Sequence, residues 1–473
     1  MKFHLIALAA AAAFVGNAEA AKLTATQAAA ATNILYIGGS SALQKLVEGM
    51  VSQNCDIDGL STWRSKGPTG TKWFGASAVD GGDGASVNAY ACTLKAGNDF
   101  GVAYDGQTIL VVKREAGGSS QGVFPVGKPG STTGVLAQSI NVALCDATAT
   151  TVNTGASNEF GYCDAATSTI TRLPDMGISD VEPAIFNASI NKPSAFSSLS
   201  VVDTDFEVAP TPFAQAVIGL VVNTTLYNDM QADQGLSGSQ VPSFGQVAFA
   251  NLWSGAYDVT QYWTPLLTTG SASALPLAKT QINIVGRSIG SGTRAAVGLF
   301  FNNSPSNKSG KQWAGSNSTP TAGTATGLRS VTSASSSGNV IAQVEACGAT
   351  SKYCVGILGY EQVPSANVKF VNVEGQSAAN ARFGQYPVVY EATYQINKTA
   401  PGGAAAKALA TAFGSAMAKP DNIFAAFNGN GVLALPQNCS GLAYTDWTSA
   451  AEKAVCSRVT RGGNSTLVLS VTK

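Results

Sequence analysis

Apolar and polar positions along the chain fall into short apolar runs and helical spacings, separated by turns rich in Gly and Ser. Asn33-Ile34-Leu35-Tyr36-Ile37 predicts a strand and Gly38-Gly39-Ser40-Ser41 a turn. Leu43, Leu46, Val47 and Met50 then recur at the spacing of one helix face. The same order returns as the strand Ile282–Val285, the turn Gly290-Ser291-Gly292-Thr293, and a helix face of Val297, Phe300 and Phe301. Thr108–Val112 and Ala216–Val222 are β-branched, apolar runs suited to buried strands. Ala404–Lys419 predicts a helix ended near Pro420. Residues 146–172 and 302–339, rich in Ser, Thr, Asn and Gly, predict long surface loops. Two strand–turn–helix units so far apart predict an α/β chain with two lobes.

The N-terminus has a different pattern. Lys2 precedes an apolar stretch, Leu5–Val15, that is too short to span a bilayer, and Ala18-Glu19-Ala20 has the small-x-small form of a cleavage site. Residues 1–20 therefore predict a secretory signal peptide. No Cys follows the site, so a lipid anchor is not expected, and the mature chain is expected to be soluble and periplasmic or secreted.

Composition narrows the function. Charged residues are 12% of the 473, and Lys+Arg equal Asp+Glu at 28 each, against about 25% charged in average chains. Such a chain lacks the basic surface that nucleic-acid binding requires. The one histidine, His4, lies in the signal segment, so the mature chain has no base for a Ser-His or Cys-His nucleophile and no His for zinc. The eight cysteines of an exported chain are expected to form disulfides. Of the 105 possible connectivities, proximity in sequence favours Cys55–Cys92, Cys145–Cys163, Cys347–Cys354 and Cys439–Cys456.

Gly286-Arg287-Ser288-Ile289-Gly290 matches the nucleophile elbow G-x-S-x-G, but without a histidine a hydrolase is not expected. Asp80-Gly81-Gly82-Asp83-Gly84 lacks the ligand count of a calcium loop and reads as a turn. The overlapping Arg287 and Gly290–Thr293 are more informative. A helix start offers free N–H groups and a partial positive charge, Ser and Thr add hydroxyls, and Arg adds a full charge in a fork suited to oxyanions. Gly38–Ser41 offers a second such helix start. Either motif alone is equally an ordinary helix cap.

Arg287-Ser288-Ile289-Gly290-Ser291-Gly292-Thr293 resembles the R-x-x-G-S-G-T segment of periplasmic phosphate-binding proteins of ABC transporters. Other stretches resemble that family in the same order: Gly38–Ser41 its first glycine loop, Gly118-Ser119-Ser120-Gln121-Gly122 its G-S-S-G-G loop, and Asp175–Asp180 its D-F-G-A-S-D segment. Ala216–Asn223 is similar to its strand crossing between lobes, and Phe249–Gly255 and Val355–Tyr360 also fit in place. The resemblance spans most of residues 33–400.

The resemblance implies a two-lobed periplasmic-binding-protein-like (type II) α/β fold with two crossover strands and a ligand cleft. Lobe I would be 30–211 with 386–473, lobe II 212–385, and Tyr386–Tyr390 the return crossover. It implies phosphate binding by Ser41, Ser119, Asp180, Arg287, Ser291, Gly292 and Thr293, with an ABC permease as partner and neither a cofactor nor a metal. A carboxylate such as Asp180 beside an anion makes sense if the ligand carries a proton, which hydrogen phosphate does and sulfate does not. The chain departs from the family at Ile289, where an Asp is usual beside the Arg, and at Ala42, where Phe is usual. The stretch between Ser119 and Asp180 is also much longer. These departures leave phosphate, arsenate or a phosphorylated compound as ligands. A secreted adhesion or scaffold protein reusing the fold is the alternative, and a phosphatase comes behind both.

Overall fold

A computed structural model describes residues 22–56, 59–66, 87–131, 138–147, 151–152, 159–254, 282–302, 329–349 and 353–471. The signal segment 1–20, the turn Asp80–Gly84 and most of the polar stretch 302–339 lie outside them. In chain order the longer elements begin with β1 (Asn33–Gly39), α1 (Gln44–Asn54), β2 (Ser61–Lys66), β3 (Val87–Thr93), β4 (Thr108–Arg114) and α2 (Ser120–Gly127). There follow β5 (Glu159–Asp164), β6 (Met176–Ser179), β7 (Thr211–Asn223), α3 (Thr224–Asp233), α4 (Gln246–Ser254), β8 (Ile282–Arg287) and α5 (Gly292–Asn302). The last are β9 (Arg329–Ala334), α6 (Ser337–Gly348), β10 (Tyr353–Gly359), β11 (Val368–Val373), β12 (Val389–Ile396), α7 (Gly403–Met417), α8 (Pro420–Phe427) and β13 (Val432–Ala434).

The fold is α/β, as expected, and β7 ties its halves together. Its first part, through Val217, pairs antiparallel with β12, and Ala214–Ala216 also pair with β13. From Ile218 onward it pairs with β10, and from Leu220 with β11. Strands run β9-β8-β10-β7-β12-β6-β1-β4-β3-β2-β5. The parallel pairs β1–β4 and β1–β6 lie on one side of β7, and the parallel pairs β8–β9 and β8–β10 on the other. Parallel pairing needs crossover connections, and helices provide them. The chain returns beside this switch, where the Ile218 N–H donates to Val388 O at 3.0 Å and the Tyr386 hydroxyl to Ile218 O at 2.8 Å.

The cores follow from the periodicities. Leu46, Val47 and Met50 of α1, with Leu409 and Phe413 of α7 and Ile423 of α8, bury against Leu35, Ile37 and Val111 on one sheet face. Fully burying such a side chain contributes about 1.5–3 kcal/mol. Trp63, Ala89, Leu110 and Val112 fill the opposite face. Leu220, Val222, Ile284, Ala296 and Val355 form a core with Phe249 and Trp253 of α4, and this core continues to Phe124 and Phe186.

Two expectations are corrected. Within 146–172, Glu159–Asp164 is a sheet strand parallel to β2, with Phe160 and Cys163 buried. Within 302–339, Arg329–Ala334 pairs along its whole length with β8. Arg329–Ala334 is a short, polar strand at one end of the sheet, and Glu159–Asp164 is a short strand set between β2 and Thr151–Val152; the hydrogen bonds of both come from neighbours that local composition does not reveal. The four disulfides join the sequence-neighbour pairs Cys55–Cys92, Cys145–Cys163, Cys347–Cys354 and Cys439–Cys456.

Candidate functional site

The turns after β1 and β8, the start of α2 and the end of β6 meet at one place. Gly39 makes the first turn possible. Its φ is +107°, and a Cβ there would lie 2.9 Å from the Gly122 Cα, so the turn packs directly onto α2. This delivers Ser40, fully buried, to the chain end of β6, where its hydroxyl donates to Asp180 Oδ1. The Ser40 oxygen also accepts the Leu43 N–H at 3.3 Å, holding the entry to α1.

The second contribution comes from α5. Ser291 caps this helix by accepting the Arg294 N–H at 3.4 Å. Its first N–H groups then face the opposite side of the site. The Gly292 N–H donates to Ser119 Oγ at 3.3 Å, and the Thr293 hydroxyl donates to Asp180 Oδ2 at 3.4 Å. Ser119 Oγ also accepts the Asp180 N–H at 3.3 Å. With both lone pairs engaged, what Ser119 can offer a third group is its hydroxyl proton. The approach is close because position 292 is glycine: a Cβ would stand 2.6 Å from Ser119 Oγ and 2.7 Å from the Asp180 Cβ. A further backbone bond, Ser120 N–H to Gly290 O at 2.9 Å, joins the same two segments.

Arg287 ends β8 and is 1% exposed. Its guanidinium donates to Ser337 Oγ at 3.0 Å, Ser41 Oγ at 3.2 Å and Ser335 O at 3.4 Å, all uncharged acceptors, while its buried Nε has no hydrogen-bond partner. Burial lowers its pKa from the ordinary value, and the Asp180 and Glu361 carboxylates oppose that shift. Glu361, which follows β10 and is also buried, is pushed up to about 7, chiefly by desolvation. The chemistry on offer is a buried, permanently charged fork, several hydroxyls, a helix start and one carboxylate acceptor.

No protein-family model and no curated protein matches the chain. Among solved structures it is similar to a candidate phosphate ABC transporter substrate-binding protein with bound phosphate from Clostridium perfringens. That likeness has 13% identity, 84% of this chain and 98% of that one covered, and a TM-score of 0.40. An ABC-type phosphate transport receptor from Vibrio cholerae shows 13% identity over 52% of this chain and 76% of its own, at a TM-score of 0.29. A candidate phosphate binding protein from Planctomyces limnophilus shows 10% identity over 78% and 82%, at 0.30.

The structure joins Ser119, Asp180, Gly292 and Thr293 in one hydrogen-bonded cluster with Ser291 as the cap beneath it, and pairs Ser41 with Arg287 beside it, Ser41 following the Ser40 that bonds to Asp180. Ser40, rather than Ser41, reaches Asp180, and Ser41 reaches Arg287. Asp180 does not serve as the cap of the short helix at Pro183–Asn187, whose cap position is Glu182. Sequence reasoning missed Ser40, Ser337, Glu361 and the Lys113 that underlies the first turn. Ser40 stood in a flagged turn and Ser337 in the run Ser335-Ser336-Ser337, but nothing local singled out Lys113 or Glu361. Among the described residues no cluster of His, Cys, Asp or Glu is suited to a metal, and no helix is long and apolar enough to cross a membrane.

Proposed function

We propose that this chain is an exported solute-binding protein, not an enzyme. It would take inorganic phosphate or a related oxyanion between two lobes, in the periplasm or outside the cell, and hand it to an ABC permease. The observation that carries this reading is Arg287: a buried guanidinium with neutral hydrogen-bond acceptors and an unpartnered Nε, beside hydroxyls and a helix start. A buried charge without a counterion in contact is costly unless a partner compensates it, and a tetrahedral oxyanion is such a partner. The ligand would be held by Arg287, Ser41, Ser119 and Thr293 and the first N–H groups of α5, with Asp180 accepting its proton. To admit it, the bonds that now join Ser119 and Asp180 to Gly292 and Thr293 must be exchanged for bonds to the ligand.

Lobes of 30–211 with 386–473 and of 212–385 accord with this reading, because β7 changes partners at Val217–Ile218 and the chain returns at Tyr386–Val389. Calorimetric titration of phosphate into ligand-stripped mature protein, with sulfate as control, tests it. Tight binding of phosphate and no heat from sulfate is expected. No heat from either, in folded protein, would overturn the oxyanion assignment and favour a scaffold role.

A further inference from the structure

Lys113 lies in β4 on the same sheet face as Val111, and Glu115 follows the end of the strand. It is fully buried, and its ammonium donates to Gly39 O at 2.7 Å, Ser40 O at 3.0 Å and Arg114 O at 3.0 Å. All three N–H groups are thus spent on neutral carbonyls, two of them in the turn that carries Ser40 and Ser41. We propose that Lys113 is a positioning residue of the anion site, which clamps the Gly39–Ser40 turn from behind and supplies a second buried positive charge that the bound oxyanion compensates. The inference rests on the oxyanion reading and names how that site responds to protons.

The physical case is the cost of the alternative. A buried ammonium without a carboxylate in contact is expensive, and an apolar side chain in its place would carry no such cost. Burial lowers the Lys113 pKa to about 8, opposed by the Glu115 and Asp180 carboxylates. Glu115 is itself pushed up to about 8 by burial and accepts a hydrogen bond from Asn88 at 3.0 Å. The other charged and titratable groups facing this pair are Glu48 on α1, Arg64 on β2 and the buried Tyr90 on β3. An anion above the turn favours the protonated form of Lys113 and of Glu115. By linkage, each proton held improves anion binding by the same factor. Affinity therefore falls as pH rises through about 8, and on the alkaline side of that value, where inorganic phosphate is mainly hydrogen phosphate, the fall belongs to the protein.

The test is phosphate titration of the full mature chain across alkaline pH, in pairs of buffers with different ionisation heats. Wild type is expected to take up protons on binding and to lose affinity on the order of tenfold for each pKa unit by which the anion raises the pair. Lys113→Met should bind more weakly at neutral pH and lose most of this pH dependence. Lys113→Arg, which keeps its charge at every pH used, should regain affinity at the alkaline end. Phosphate binding by wild type without proton uptake would overturn the inference while leaving the oxyanion reading intact, and it needs no variant to fold. Absence of phosphate binding at every pH would remove both.

Discussion

The guanidinium of Arg287 donates to the Ser41 hydroxyl at 3.2 Å, joining the end of β8 to the turn after β1 across 246 sequence positions. The same guanidinium holds Ser337 at the start of α6. One side chain, placed at the end of the strand that leads into the second glycine-rich turn, therefore touches the first such turn and the Ser335–Ser337 segment, and any group that bonds to it senses how these elements are placed.

Arg287→Ala is expected to weaken phosphate binding by at least about 100-fold, since hydrogen bonds to charged groups contribute about 1.5–3 kcal/mol each. Arg287→Lys should recover only part, because an ammonium keeps the charge but not the fork. Calorimetric affinities of both variants check this, and an unchanged affinity in Arg287→Ala would count against the site.

Asp180→Asn should change selectivity more than fold. The carboxylate accepts from Ser40 and Thr293, and as an acceptor it favours an oxyanion that carries a proton. A site built on such an acceptor can reject the analogue lacking the proton by about 10⁴–10⁵. With Asn, which also donates, the ratio of phosphate to sulfate affinity is expected to drop by about 100-fold or more. Competition titrations read this ratio directly.

Gly292→Ala is expected to hold the two halves apart. The added Cβ would stand 2.6 Å from Ser119 Oγ, which can rotate away, and 2.7 Å from the Asp180 Cβ, which cannot move without its backbone. A larger radius of gyration by small-angle scattering and weaker phosphate binding should follow. Gly338→Ala, whose Cβ would have nothing within 4 Å, is the matched control and should leave both unchanged.

Far from the site, Glu452 ties down the C-terminal region. Its carboxylate accepts from Ser440 Oγ at 2.5 Å, Ser440 N at 2.7 Å and Thr448 N at 2.9 Å. The Ser440 hydroxyl above all holds its pKa down to about 2, against an ordinary 4.5. A lowered folded-state pKa means stability that is present above pH 4.5 and lost as pH falls toward about 2. Thermal unfolding should show wild type more stable than Glu452→Gln near neutrality and the gap closing over that acid range. A gap of constant size would show that ionisation of Glu452 contributes nothing.

Much of this protein was legible from local pattern. The strand–turn–helix units at Asn33–Met50 and Ile282–Phe301, the helix near Ala404–Lys419 and the cysteine pairs all follow from short-range signals. Arg329–Ala334 and Glu159–Asp164 did not, because such short strands, each set in a stretch of mostly small and polar residues, take their hydrogen bonds from partner strands and leave no periodic mark of their own.

What the sequence by itself determined, then, is where the turns, hydroxyls and charges lie along the chain, since periodicity, glycine and capping residues act within a few positions. What only the tertiary structure decided is which of them meet. Ser40 reaches Asp180 and Ser41 reaches Arg287 because β1 pairs with β6 while β8 stands beyond β7. Lys113 lies under Gly39 because β4 pairs parallel with β1. Hydrogen bonds and Coulomb forces act over a few ångströms of space. Sheet pairing across hundreds of residues sets those distances, and local sequence does not encode it.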